Sequence, residues 1–525
     1  MDKLAQFKKE IEKGYTFKGA ALTLGGAMLD GEVITGLHVK TPLKTFNRHG
    51  LIAGATGTGK TKTLQVLAEG LSDHGVPVLL MDIKGDLSGL AKASDGHKKI
   101  DERHAMIGLP FQAASFPIEC LTISDEKGTQ LRATVSEFGP VLISKILELN
   151  DTQSGVISLI FKYCDDNDYP LLDLKDLKKM LQFITNEGKA EIQKEYGSIS
   201  TTSVGTITRK IIELEQQGAE KFFGEKSFDV EDLLRQEDKK GIISILRLVD
   251  IQDRPKLFST FMLCLLAEIY ATFPEQGDAD KPKLVIFIDE AHLIFNEASD
   301  ALLDQIESII KLIRSKGVGI FFCTQVPADV PDAVLSQLGL KVQHALRAFT
   351  ARDRKKIKMA AENFPLSDYY KTDKTLTTLG IGEALVTVLN EKGIPTPLVS
   401  TMLQAPRSRM GILTAKELKQ VQSTSEIADE YNEKIDRESA YEILNKKLEE
   451  FSGEENQKKL SDQTRGRKAT YSAGKEESFV ESLSKNTMVR QLGRTLMREL
   501  TRGLLGALGV KKTTRRRTRT TRRRR

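Results

Sequence analysis

The sequence predicts an α/β fold, a doubly wound sheet with helices on both faces. Three observations carry that expectation. Short apolar runs alternate with segments of helical spacing through most of residues 50–405, the order that builds parallel sheets from strand–helix–strand units. One apolar run leads into a glycine-rich loop and a helix. Another ends in two adjacent acids.

The chain has 525 residues, 40% hydrophobic and 29% charged, enough for a large core and two to four structural units. Its start, MDKLAQFKKEIEKGY, is charged and has no apolar core, so it is not read as a secretory signal. The longest apolar runs, such as FMLCLLAEIY, fall short of a membrane span. Four cysteines, Cys120, Cys164, Cys264 and Cys323, form no C-x-x-C pair; Cys264 and Cys323 sit in apolar runs and read as buried thiols. A reducing, cytoplasmic location is expected. The net charge is +6, yet the last 15 residues hold ten basic groups and no acid, which leaves residues 1–510 near −4. Any attraction to polyanions therefore rests on local patches and on the tail.

Residues 1–49 read as a short β-rich lead-in, because GAALTLGGAMLDGEVITGLHV looks like small strands joined by glycine turns. The main α/β core begins at residue 50. Leu51, Ile52 and Ala53 form a short strand. Gly54-Ala55-Thr56-Gly57-Thr58-Gly59-Lys60-Thr61 follows, then a helix with Leu64, Leu67, Ala68 and Leu71 on one face. This is the phosphate-binding P-loop pattern, or Walker A, in its required setting of strand before and helix after. Glycines let backbone N–H groups approach phosphate oxygens, and the helix start adds its positive dipole end. Lys60 is expected on the β- and γ-phosphates of ATP and the Thr61 hydroxyl on Mg²⁺.

The run PVLLMDIKGD gives a second strand ending at Asp82, with Asp86 in the glycine turn beyond it. Acids there belong either to the phosphate and metal site or to ordinary turn capping. Residues 100–240 carry Leu and Ile at helical spacing and read as an α-helical insertion. The strand–helix alternation resumes over 241–405. GIISILRLVD is a strand, and the helix RPKLFSTFMLCLLAEIYATF has Pro255 suited to its first turn. The run LVIFIDEAH matches a Walker B strand: Asp289 is expected to hold Mg²⁺, and Glu290 to polarise the attacking water as catalytic base. An adjacent Glu separates hydrolytic motors from simple nucleotide switches. The expected fold is thus a P-loop NTPase of the RecA-like, or ASCE, kind, with the helical insertion and a helical C-terminal extension.

Gln325 ends the next strand and is read as a γ-phosphate or water sensor, with a capping role as the plain alternative. Arg314, at a helix end, and Arg347, at a strand end, are arginine-finger candidates; complementing a helix dipole is the plain alternative for the first. GEALVTVLNEKGIPTPLVSTML reads as a terminal hairpin turning at Glu391 to Pro395. Residues 406–451 read as charged and helical, 452–477 as a polar linker, 478–510 as a basic amphipathic helix and 511–525 as a disordered Arg-rich tail. In that helix Arg490, Arg494, Arg498 and Arg502 share i, i+4 spacing beside a Val489, Leu492, Leu496, Leu500 stripe. A partner subunit, nucleic acid or an anionic membrane surface reached through 488–525 is expected of it, or simply a solvated face.

The segments GLIAGATGTGKT, DIKGD, LVIFIDEAH, RSKGVGI and FFCTQ, in this order, resemble the HerA/FtsK branch of P-loop motors, and more closely the bacterial HerA-like ATPases; HALRAFTARDR and the basic C-terminal helix are similar to that group too. The likeness covers roughly residues 20–405, and extends to 480–510. It implies a homo-hexameric ring that hydrolyses ATP with Mg²⁺ and drives DNA through its pore. It also implies Lys60 and Thr61 on phosphate and metal, Asp289 on Mg²⁺, Glu290 as base, Gln325 as sensor and Arg314 as a finger acting in trans. Archetypal HerA carries a β-barrel ahead of the P-loop that docks a nuclease, whereas about 50 residues stand here, so a nuclease partner is not carried over. A ring ATPase that remodels protein complexes, and a nucleotide-dependent scaffold anchored by its basic tail, remain open as alternatives.

Overall fold

The computed structural model describes residues 2–449 except 278, 298, 299, 434, 436 and 448, and the side chains of 296–302 are outside the description. The expected linker, basic helix and tail lie beyond the described residues. Met1–Phe451 is one compact unit.

The chain runs α1 (Lys3–Gly14), β1 (Ala21–Leu29), β2 (Glu32–Pro42), β3 (Gly50–Ala53), α2 (Lys60–Asp73), β4 (Val78–Asp82), α3 (Lys98–Ile107), β5 (Ile118–Thr122) and β6 (Thr129–Gln130). Five helices follow: α4 (Val135–Ile146), α5 (Asp151–Asp166), α6 (Leu174–Thr185), α7 (Lys189–Tyr196) and α8 (Thr201–Gln216). A small hairpin of β7 (Gln236–Glu237) and β8 (Lys240–Gly241) leads to β9 (Ile243–Arg247), α9 (Pro255–Thr272), β10 (Leu284–Ile288), α10 (His292–Glu297), α11 (Asp300–Ile313) and β11 (Val318–Thr324). Then come α12 (Asp332–Leu335), β12 (Leu340–His344), α13 (Ala351–Glu362), α14 (Thr372–Thr378), β13 (Glu383–Thr387), β14 (Val399–Leu403), α15 (Ala415–Gln422) and α16 (Ala428–Asn432).

Among the described residues, twelve strands form one sheet in the order β2-β1-β14-β13-β12-β3-β11-β10-β4-β9-β5-β6. From β12 to β6 every pairing is parallel; from β12 back to β2 every pairing is antiparallel. The parallel strands are continuous apolar runs, and every residue of β3, β10 and β11 is buried, as expected of strands covered on both faces. Alternate side chains show the two covers. Phe321 packs with Phe46, Leu64 and Leu67 in the cluster that also takes Phe7 and Ile11 of α1. Its neighbour Phe322 points the other way, to Phe295 of α10.

Several expected boundaries move. The lead-in begins with a helix, and its two strands extend the main sheet, β1 pairing with β14. Helix does not fill 100–240: residues 118–122 are a buried strand beside β9, and the helices of the insertion occupy 135–216. Glu119 explains why β5 escaped the apolar pattern. It is buried, but Arg235, Thr129 and Ser425 satisfy its carboxylate. Cys264 is only partly buried, unlike Cys323. The hairpin of β13 and β14 forms as expected, with Leu389 bridging Pro395 across its turn. No described helix is long and apolar enough to cross a membrane.

Candidate nucleotide site

The glycine-rich loop leaves the C-terminal end of β3 and is pinned by its neighbours. Gly54 N–H donates to Thr324 O at 3.2 Å, and Ala55 N–H to Ala345 O at 2.9 Å. The Gly382 N–H donates to Thr58 O at 2.9 Å. Gly54 takes φ +157°, and a Cβ there would lie 2.5 Å from that of His344; only glycine fits so close an approach. His344 forms the floor, its Nε2 2.8 Å from the Thr63 hydroxyl. Burial and the nearby Lys60 hold its pKa down to about 4, so the floor is neutral at pH 7. Gly57, at φ +77°, faces open space at the loop's tip.

Lys60 is buried and donates to Gly54 O at 2.7 Å and Ala55 O at 3.3 Å, folded across its own loop. Burial and the neighbouring Lys84 lower its pKa, while Glu290 and Asp289 pull it back up. The two halves of the predicted site thus leave the same end of the sheet, one strand apart. The sheet order explains how: β11 lies between β3 and β10, so the strand leading to Gln325 separates the loop from the acid pair. An extra strand between these two elements is the arrangement expected of the ASCE class.

Asp289 and Glu290 follow β10 and are almost fully buried. Asp289 Oδ1 accepts the Glu290 N–H at 3.0 Å, and Glu290 takes a left-handed φ of +46°, an uncommon conformation for a non-glycine residue that clusters at functional sites. Asp289 Oδ2 has no hydrogen-bond donor among the described residues. Burial pushes the Asp289 carboxyl up to about 6, against the pull of Lys84. An under-satisfied buried carboxylate beside a P-loop fits a magnesium ion. The described residues hold no cluster of three or more His, Cys, Asp or Glu for a metal.

Lys84 is the site residue that sequence reasoning missed. Its ammonium is ion-paired to Glu290 Oε1 and lies 3.9 Å from Asp289 Oδ2. It stands in the DIKGD turn, where attention went to the two aspartates. Asp82 proves to be a turn cap: Gly85, Asp86 and Leu87 N–H donate to its carboxylate at 2.7, 3.2 and 3.2 Å. Asp86 points one buried, undonated oxygen inward, and its charge reaches Lys62, Lys84 and Asp289.

A cleft of about 560 Å³ opens beside the loop, lined by Ala55, Thr56, His292, Gln325, Arg347 and Lys356 among others. Gln325 is exposed to it, its backbone set by Asp329, which accepts from Thr324 Oγ1 and Val326 N–H. Arg347 lies past the end of β12, three residues beyond where the strand stops, and reaches the same cleft. Arg314 does not. It sits in a 3-10 turn ahead of β11, at the opposite rim of the sheet, near Arg48. Seven strand residues separate the rims, roughly 20 Å at 3.3 Å per residue.

The chain is 23% identical over 384 residues to the DNA double-strand break repair helicase HerA of Saccharolobus solfataricus, covering 68% of this chain and 66% of that one. It is 24% identical over 362 residues to the DNA import protein CedB of Sulfolobus acidocaldarius, covering 68% and 52%. The chain thus spans less than two thirds of the length of these relatives. The solved structure of the bacterial conjugative coupling protein TrwB matches the fold with a TM-score of 0.51 at 15% identity, over 77% of this chain and 94% of that one. A family model described as helicase HerA-like C-terminal matches residues 30–513, most of the sequence, and the chain belongs to that family.

Proposed function

We propose that the protein is an ATP-hydrolysing motor of the HerA-like kind, a cytoplasmic homo-hexamer that translocates DNA. One observation carries the hydrolytic part: the glycine-rich loop with Lys60 and the Asp289–Glu290 pair leave the same end of the sheet with one strand between them, although some 230 residues of chain separate them. DNA as cargo rests on the relatives, whose names describe DNA repair and DNA import, and the ring on the resemblance of the motifs to the HerA/FtsK motors.

In this reading the loop Gly54–Thr61 cradles the phosphates of ATP through the N–H groups that the Thr324 and Ala345 carbonyls do not already take. Lys60 turns from its own loop carbonyls to the β- and γ-phosphates. Thr61 and Asp289 would hold Mg²⁺, which neutralises developing charge on the phosphates when bound. Glu290 takes the proton of the attacking water. Gln325 orients that water, and Arg347, in the same cleft, supplies positive charge from its own chain. Arg314, on the far rim, meets a phosphate only if a neighbouring subunit presents one.

The test is the ATPase rate with and without single- and double-stranded DNA, alongside the particle mass. Stimulation by DNA that survives removal of residues 480–525 supports a threading motor. Loss of stimulation with the tail points to an anchored scaffold, and no effect of DNA points to a remodeller of protein complexes.

A further inference from the structure

Lys84 is placed oddly for a residue with a structural task. Its backbone is fixed: Asp82 gathers three N–H groups of the turn, and Gln252 Nε2 donates to Ile83 O at 2.7 Å. Its side chain is 39% exposed, the least buried member of the charged group around it. It leans on Glu290, the residue assigned as base. A carboxylate held by an ammonium is a poor acceptor for a water proton, because the ion pair stabilises the charged, unreacted form. A second cation, Lys60, is close enough for the two to repel. Two ammonium groups converging beside a glycine-rich cradle favour an anion of higher charge than one carboxylate.

We propose that Lys84 is a transferable counter-ion: it covers Glu290, and moves to the terminal phosphate of a bound nucleoside triphosphate, so that the base is uncovered only when there is a γ-phosphate to cleave. The geometry permits the move. The four-carbon stem swings about a fixed root, and a terminal phosphate offers three acceptor oxygens against one carboxylate oxygen. A diphosphate ends short of that position and leaves the ion pair standing. The lysine is thus a positioning residue for the base and a reader of the third phosphate. This rests on the ATPase reading above.

The experiment compares affinities of the full chain for ADP and for a β,γ-imido analogue of ATP, both with Mg²⁺, by calorimetry. Lys84→Met should lower the analogue-to-ADP preference about tenfold, the size of one charge-assisted hydrogen bond, with ADP affinity changed by less than about threefold. Lys84→Gln, which retains a neutral donor, should lose preference almost as far, and Lys84→Arg should retain most of it. These two variants carry the test if Lys84→Met does not fold. An unchanged preference in Lys84→Met, or in Lys84→Gln, overturns the proposal while leaving the ATPase reading intact. Wild-type protein that binds neither nucleotide overturns both.

Discussion

Two buried carboxylate sites in this molecule solve the same problem in opposite ways. Glu69, on α2, is 2% exposed. Its oxygens accept the Ser408 N–H at 3.0 Å, the Ser408 hydroxyl at 2.6 Å and the Arg407 N–H at 2.9 Å, with the Arg407 guanidinium 3.8 Å away. Nothing on that carboxylate is left over, and it ties residues 407–408 along the P-loop helix. Asp289 and Glu290 are nearly as buried, at 3% and 8%, yet one oxygen of each has no donor among the described residues. Their main compensation is a single half-exposed lysine. A satisfied carboxylate organises structure. One left short of donors costs stability and is ready for a ligand.

The largest effect that sharpens this contrast is on turnover. Glu290→Gln and Lys60→Ala should each lower ATP hydrolysis by roughly a hundredfold or more, with Glu290→Gln still binding ATP in a filter or calorimetric assay. Undiminished phosphate release by Glu290→Gln would remove the base assignment. Next comes stability. Glu69→Ala strands two backbone donors and a hydroxyl, and should cost on the order of 2–4 kcal/mol in chemical denaturation. If the loss is negligible, the satisfied site is not structural and the contrast fails.

A smaller effect has the opposite sign. The Asp289 carboxyl is pushed up to about 6 by burial, above its unfolded value. The folded state therefore holds that proton more tightly, and the associated stability is lost as pH rises from about 4 to about 6. Asp289→Asn should abolish turnover yet melt higher than wild type at pH 7, by a few degrees, with the gap shrinking toward pH 4. A gap independent of pH would place the strain elsewhere. The smallest expected signal concerns the far rim. Mixing Arg314→Ala with Lys60→Ala subunits should recover a fraction of the wild-type rate if the arginine acts across subunits. A mixture as inactive as its components counts against that role.

The loop and the acid pair were legible because each is local: contiguous residues in the right order announce a strand, a turn and a charge. What escaped depends on partners distant in sequence. Lys84 and Glu290 are 206 residues apart, and no spacing rule links a lysine in one turn to a glutamate after another strand. Strand β5 carries Glu119 in its middle, whose partners Arg235 and Ser425 are invisible from the strand itself. Asp82 shows the reverse limit. The turn-capping alternative was written into the same five residues as the metal-site reading, and only the three N–H contacts separate them. Arg347 and Arg314 looked alike as single guanidinium groups at element ends; the sheet sends one to the cleft and the other to the opposite side.

The pairing of β1 with β14 bears on how this protein can be cut. A chain shortened to begin at Gly50 would retain every residue assigned to chemistry, yet bare the flank of β14 from Ser400 to Leu403 with its amides and carbonyls unmatched. Such an open border recruits strands from other molecules. The first forty-odd residues thus act as a selvedge, and shortened versions that drop them should clump before their catalysis can be measured.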